Sequence, residues 1–82
     1  RKEIPLLKKE FDILEVLSQN PGQVFDKERL YKTAWGLDGL GNNSVVAEHI
    51  RKIRAKFAAV GAKQYIETVW GVGYKWKKAS VN

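Results

Sequence analysis

The sequence predicts a small α+β domain, mainly helical, in which three helices precede a C-terminal β-hairpin. Apolar residues recur at helical spacing in three stretches ahead of Gly61, and breaks rich in glycine, proline or asparagine separate those stretches. The segment KQYIETVWGVGYKWKK then changes character, with β-branched and aromatic residues on either side of Gly71-Val72-Gly73.

Each element has its own signal. Residues KEIPL are too short for a helix and read as a single extended strand. In KKEFDILEVLSQNPG, the residues Phe11, Ile13, Leu14, Val16 and Leu17 form a wide apolar stripe that stops at Asn20-Pro21-Gly22, which makes a largely buried first helix. Leu7 stands where a side-chain cap belongs, three residues before Glu10, so one half of a capping box is missing at a cost of about 1 kcal/mol. QVF is a brief extended piece, and Asp26 caps a second helix, KERLYKTAW, whose apolar residues are Leu30, Tyr31 and Ala34. The loop GLDGLGNN follows, ending at Asn43 or Ser44 as the cap of a third helix that runs to about Val60. Val46, Ile50, Ile53, Phe57 and Val60 define that helix's inner face.

A chain of 82 residues makes one domain, since a core of this size buries only about 60% of the unfolded surface. The chain begins at Arg1 and reads as an excerpt of something longer, and KKASVN closes it in a frayed tail over residues 79–82, its last four. Hydrophobic residues are 44% and charged residues 29% of the total, a globular balance. No run approaches the roughly 20 apolar residues of a membrane span, and no basic-then-apolar leader opens the chain, so it reads as cytoplasmic. The absence of cysteine excludes disulfides and thiolate metal sites.

The net charge of +6 is unevenly placed. Basic and acidic residues balance through Gly41, and the excess lies entirely beyond it, in Arg51, Lys52, Arg54, Lys56, Lys63, Lys75, Lys77 and Lys78 against Glu48 and Glu67. A basic half of this kind is a footprint for a polyanion. On a wheel of 100° per residue with Val46 at zero, Arg51, Glu48 and Lys52 fall at about 140°, 200° and 240°, while Arg54, Lys56 and His49 fall on the flanks. A helix buried along Val46, Ile50, Ile53 and Phe57 and exposing this charge fits the DNA major groove. Glu48, Arg51, Lys52 and Val45 are then the expected base readers, and Arg54, Lys56 and His49 the expected phosphate clamps. A solvated helix face would intersperse both signs, but after Glu48 this helix has cations and no acid. A helix-turn-helix followed by a basic wing accounts for every piece.

Other chemistry finds little support. His49 is the single histidine, and no carboxylates are spaced to complete a metal site with it. Ser18, Thr33 and Ser44 lack a base; only Ser44 is within helical reach of His49, and it lies on another face. Gly71-Val72-Gly73 resembles half of a dinucleotide fingerprint, but the third glycine would fall at Trp76 and no helix follows, so it is a turn. The chain is read as a non-enzyme without cofactor. Trp76, alternating with lysines, reads as core, and Trp70, beside the turn, suits either wing-tip contact or packing. Alternative readings are a protein-interaction module docking an acidic partner or RNA polymerase, and, less well supported, a membrane-surface binder, whose apolar face would be the one the core needs.

Three motifs in order, KKEFDILEVLSQNPGQVFDKERLYKTAWG, HIRKIRAKF and YIETVWGVGYKW, resemble the winged-helix DNA-binding effector domain of OmpR/PhoB-type two-component response regulators. The resemblance covers about residues 2–78. It implies a transcription factor that binds direct repeats as a tandem dimer under control of its own receiver domain, with the third helix in the major groove and the wing at the adjacent minor groove. By position it implies phosphate contacts at Trp35, His49, Arg51, Arg54, Thr68 and Tyr74, to which Ser44, Lys56 and Lys75 are added, and base contacts at Val45, Glu48 and Lys52. Arg51 thus has two expected roles, base from the wheel and phosphate from the resemblance. Trp70, Gly71, Val72 and Gly73 form the implied wing tip, and Leu37, Asp38, Gly39, Leu40 and Gly41 the implied polymerase-contact loop.

The departures from the family pattern are specific. Lys52 stands where an arginine often reads guanine, and it lacks the rigid fork. Trp70 stands where an arginine often enters the minor groove, and Glu48 replaces a frequently apolar residue. The family's four-stranded N-terminal sheet is reduced to at most one strand near Lys2 to Leu6, so the excerpt is expected to be less stable than a domain with the full sheet.

Overall fold

A computed structural model describes residues 3–36 and 42–78. In chain order the elements are α1 (Lys8–Ser18), α2 (Lys27–Trp35), α3 (Ser44–Ala59), β1 (Ile66–Val69) and β2 (Gly73–Trp76). The three helices enclose a core of Ile13, Leu14, Leu17, Phe25, Leu30, Tyr31, Val46, Ile50, Ile53 and Ile66. The two strands pair antiparallel, with Ile66 opposite Trp76 and Val69 opposite Gly73.

The start of α1 behaves as its sequence suggests and then departs from it. Leu7 offers no side-chain cap, but the Glu10 carboxylate accepts from the Leu7 amide at 2.9 Å, so the reciprocal half of the box is present. Glu10 is also fully buried, whereas Phe11 of the expected apolar stripe is 51% exposed. The helical period accounts for both once the arc covered by the other elements is known. With Ile13 at zero, Leu17, Glu10 and Leu14 fall at about 40°, 60° and 100°, and Phe11 at about 160°. Glu10 is in the middle of the buried arc, and Phe11 lies beyond its edge, on an open apolar groove shared with Leu6, Leu14, Phe57 and Trp76.

Glu10 is compensated from the far end of the chain. Lys56 Nζ donates to its Oε1 at 2.6 Å, joining the first turn of α1 to the last turn of α3. Burial pushes the Glu10 carboxyl up, but the bond from Lys56, the Leu7 amide and the charge of His49 outweigh it and hold the carboxyl below its ordinary value.

Three further expectations need correction. Residues Glu3–Leu7 pair with no strand among the described residues, so the single expected N-terminal strand is not formed in that stretch. Neither Asn43 nor Ser44 caps α3 with its side chain; the Asn42 carboxamide instead accepts from the Ser44 amide at 2.9 Å and from the Ser44 hydroxyl. The turn glycines also have separate jobs. Gly71 takes the left-handed φ of +79° that a side chain resists. Gly73 already belongs to β2, where a Cβ would come within 2.7 Å of Asp26 Cα. That close approach exists because Phe25 and Tyr74 exchange backbone bonds at 2.8 and 2.9 Å. The short extended piece before α2 therefore lies against β2 and attaches the hairpin to the helices. Asp26 caps α2 as expected, accepting from the Arg29 amide at 2.7 Å. The expected tail, residues 79–82, and Arg1 and Lys2 lie outside the described residues.

The Glu10–Lys56 pair generates an asymmetric prediction. Lys56→Met leaves a buried carboxylate without its ammonium and is expected to cost about 3 kcal/mol. Glu10→Gln frees Lys56, whose side chain is already 28% exposed, to reach solvent, and is expected to cost about 1 kcal/mol. Because the folded pKa is depressed, the pair's contribution is complete above the ordinary glutamate value of about 4.3 and is lost as pH falls through the depressed one. In Lys56→Met, burial dominates and raises the pKa, so stability at this site should instead fall as pH rises through the carboxylate range. Denaturant unfolding of the three proteins across that range checks the sign; parallel pH curves would remove the assignment.

Candidate nucleic-acid interface

Along α3, buried and exposed residues separate by direction. Val46, Ile50 and Ile53 are buried, and Glu48, Arg51, Lys52 and Ala55 are exposed on the opposite side. The cations are divided more sharply than the wheel alone implies. Lys52 is exposed and makes no salt bridge among the described residues. Arg51 is also exposed, and its guanidinium meets Glu48 one turn earlier, Nη2 to Oε2 at 2.5 Å and Nε to Oε1 at 3.3 Å. The bond from Arg51 holds the Glu48 carboxyl below its ordinary value, and the same bond raises the guanidinium.

Arg54 and Lys56 are engaged inside the domain. Arg54 Nη2 donates to the Ile66 carbonyl at 3.0 Å and to Thr68 Oγ1 at 2.9 Å, and its guanidinium lies 5.8 Å from the Tyr74 ring centroid. Gln64, which the sequence reading left without a role, donates its side-chain amide to the Arg54 carbonyl at 3.0 Å. Arg54 therefore fastens β1 to α3 and occupies Thr68 in doing so. Lys56 points to Glu10. Periodicity places both residues on flanks, and it is silent on which flank is covered by the hairpin or by α1.

The remaining expected contacts fall into two groups. At the α2–α3 side, Trp35 stacks on Tyr31 with ring centroids 4.9 Å apart and meets the edge of His49 at 5.2 Å. His49 Nδ1 lies 2.8 Å from the Val45 carbonyl, which requires the proton on Nδ1 and leaves Nε2 as the outer atom. Val45 itself leans onto the core, and Ser44 is exposed at the helix start. Lys9, another residue unassigned from sequence, donates to the Ala34 carbonyl at 3.0 Å and sits 5.5 Å from the Trp35 ring centroid. It answers the open carbonyl end of α2 with a positive charge.

At the hairpin, Tyr74 is partly buried and pairs across to Thr68. Lys75 stands opposite Glu67, with Nζ 3.6 Å from Oε1. Trp76 stacks on Tyr65 at 5.0 Å and packs against the core, as its alternation implied. Trp70 is 89% exposed and Val72 is exposed beside it, so the tip of the hairpin is apolar. Its exposure resolves the two sequence readings of Trp70 in favour of an outward-facing ring. The expected polymerase-contact loop, Leu37, Asp38, Gly39, Leu40 and Gly41, lies outside the described residues. No group of His, Cys, Asp and Glu among the described residues could hold a metal ion.

Comparison with known proteins agrees with this architecture. The family described as transcriptional regulatory protein, C terminal, matches residues 1–76. The chain belongs to that family, the DNA-binding effector domains of OmpR/PhoB-type response regulators. The uncharacterized transcriptional regulatory protein YclJ of Bacillus subtilis is 46% identical over 71 residues, which are 87% of this chain and 31% of that protein. Transcriptional regulatory protein SpaR of Bacillus subtilis is 43% identical over 92% of this chain and 34% of its own length. The chain thus spans about a third of the curated relatives it matches. The C-terminal domain of the nisin resistance regulator NsrR superposes with a TM-score of 0.81 at 33% identity, covering 96% of this chain and 80% of that one. The DNA-binding domain of response regulator AdeR, solved in complex with an intercistronic region, gives 0.79 at 25% identity over 92% and 74% of the two chains.

Arg54→Ala should lower stability by about 1.5 kcal/mol and speed hydrogen exchange at the β1 and β2 amides more than at α1. Unchanged exchange in the hairpin would show that the guanidinium does not fasten it.

Proposed function

We propose that this domain binds double-stranded DNA sequence-specifically to control transcription, without catalysis. The observation that carries the reading is the exposed face of α3, where Glu48, Arg51 and Lys52 project opposite a face buried in the core. A single helix of 16 residues, about 24 Å long, suits the major groove. Family membership and the AdeR domain's complex with an intercistronic region support the same partner.

In this reading Arg51 and Lys52 meet base edges, and Trp35, Ser44, His49, Tyr74 and Lys75 meet phosphates on either side. Arg54 and Thr68 act chiefly by holding the wing, and Lys56 by holding α3 to α1. The tip formed by Trp70, Gly71, Val72 and Gly73 enters the adjacent minor groove. There an indole packs on sugar faces and brings no charge, so it does not select a narrow groove by potential as an arginine does. The family resemblance supports a cytoplasmic regulator that binds direct repeats in tandem, is controlled by its own receiver domain, and contacts RNA polymerase through residues 37–41. No helix among the described residues is long and apolar enough to cross a membrane.

If Arg51, Lys52 and Lys75 displace about three counterions between them, log K should fall with log salt at a slope of about −2.7, and Trp70→Arg should steepen it by about 0.9. Titration of a duplex selected from a random pool, at several salt concentrations, measures both. A slope indistinguishable from zero would exclude the DNA reading, and an unchanged slope in Trp70→Arg would remove the wing tip from the interface. Lys52→Ala should relax preference at one or two base pairs while leaving affinity for random duplex only modestly reduced.

A further inference from the structure

Glu48 is the one acid on α3, at a position where an acid faces a polyanion. Its geometry supplies a reason for it to be there. A guanidinium carries five N–H donors arranged as two planar forks, a lateral one of Nε with one Nη and a terminal one of the two Nη atoms. The Glu48 carboxylate takes Nε and Nη2, the lateral fork, with one oxygen for each. The terminal fork keeps Nη1 and the second hydrogen of Nη2. That pair of parallel donors matches O6 and N7 of guanine in the major groove.

We infer that Glu48 is a positioning residue for Arg51, holding the lateral edge of the guanidinium so that its terminal fork is presented outward to a guanine, and is not itself a base reader. The inference rests on the reading of α3 as the groove-facing helix. An unrestrained arginine samples many rotamers and has to be ordered on binding, whereas one held by a carboxylate one turn away is ordered beforehand. Both carboxylate oxygens already accept from Arg51, so Glu48 has less to offer a cytosine amino group. Pairing also screens it from the phosphates. The neighbouring charges are Lys52 and His49, both of which favour the ionised carboxylate. The chemistry makes Arg51, rather than Lys52, the rigid bidentate reader of this helix.

The test is a double-mutant cycle read base pair by base pair. Duplexes recovered from a random pool by the wild-type domain, together with every single-pair variant of the recovered site, are measured with wild type, Arg51→Ala, Glu48→Gln and the double variant. Arg51→Ala should flatten the preference at one G·C pair. Glu48→Gln should weaken preference at that same pair by about tenfold, and the double variant should be no worse there than Arg51→Ala. Both side chains are exposed, so unfolding midpoints should stay close to wild type, which separates positioning from a folding defect.

Effects of Glu48→Gln at a pair that Arg51→Ala leaves alone, or losses that add, would make Glu48 an independent reader and overturn the inference. So would an Arg51→Ala variant that weakens all sequences equally, which would place Arg51 on phosphate. If the wild-type domain recovers no sequence above the random pool, the DNA reading fails together with the inference. If it recovers a site and only the cycle fails, the inference alone is lost.

Discussion

The buried carboxylate of Glu10 is the constraint on which the helical scaffold depends. A charge taken fully out of water has to be met by an opposite charge and by hydrogen bonds, and here Lys56 and the Leu7 amide both meet it at Oε1, while the buried Oε2 has no hydrogen-bond partner among the described residues. One group therefore completes the start of α1 and fixes the end of α3 against it. This bond and the core contacts of Val46, Ile50 and Ile53 hold α3 to the rest of the domain. Lys56 is drawn inward as a consequence, which changes what α3 has to offer a ligand.

A second lock has the same effect at the other flank. Arg54 reaches across to Ile66 and Thr68, and Phe25 joins β2 from the opposite side. The hairpin is held by polar contacts from α3 and by backbone bonds from the segment before α2, while Ile66 enters the core. Two of the four cations in RKIRAK are thus structural, and Arg51 and Lys52 are the two left on the exposed face. Net charge still sets the long-range attraction to a polyanion, but the short-range contact set is smaller than the charge count implies.

The wing is apolar at its tip. Trp70 and Val72 are exposed beside a turn whose glycine, Gly71, permits the tight reversal, while Gly73 permits the close approach of β2 to Phe25 and Asp26. The charge of the hairpin sits behind the tip, on Lys75, which shares it with Glu67. In the proposed reading, base recognition is correspondingly concentrated on α3, on the paired Arg51 and the exposed Lys52.

Period and turn chemistry alone determined the three helices, the Asp26 cap, the hairpin around Gly71, the inner face of α3 and its cationic outer side, because each is a local property of spacing and residue type. The order of the motifs was enough to indicate the family. Tertiary structure decided what local pattern cannot carry. Glu10 is buried and Phe11 exposed because other elements choose which arc of α1 is covered. Lys56 and Arg54 turn inward because their partners lie 46 and 12 to 14 residues away in sequence. Segment Glu3–Leu7 forms no strand because a ladder needs a neighbour, and extended propensity does not provide one. The division of α3's charge between scaffold and exposed face depends on which elements stand beside each flank, and only the folded chain contains it.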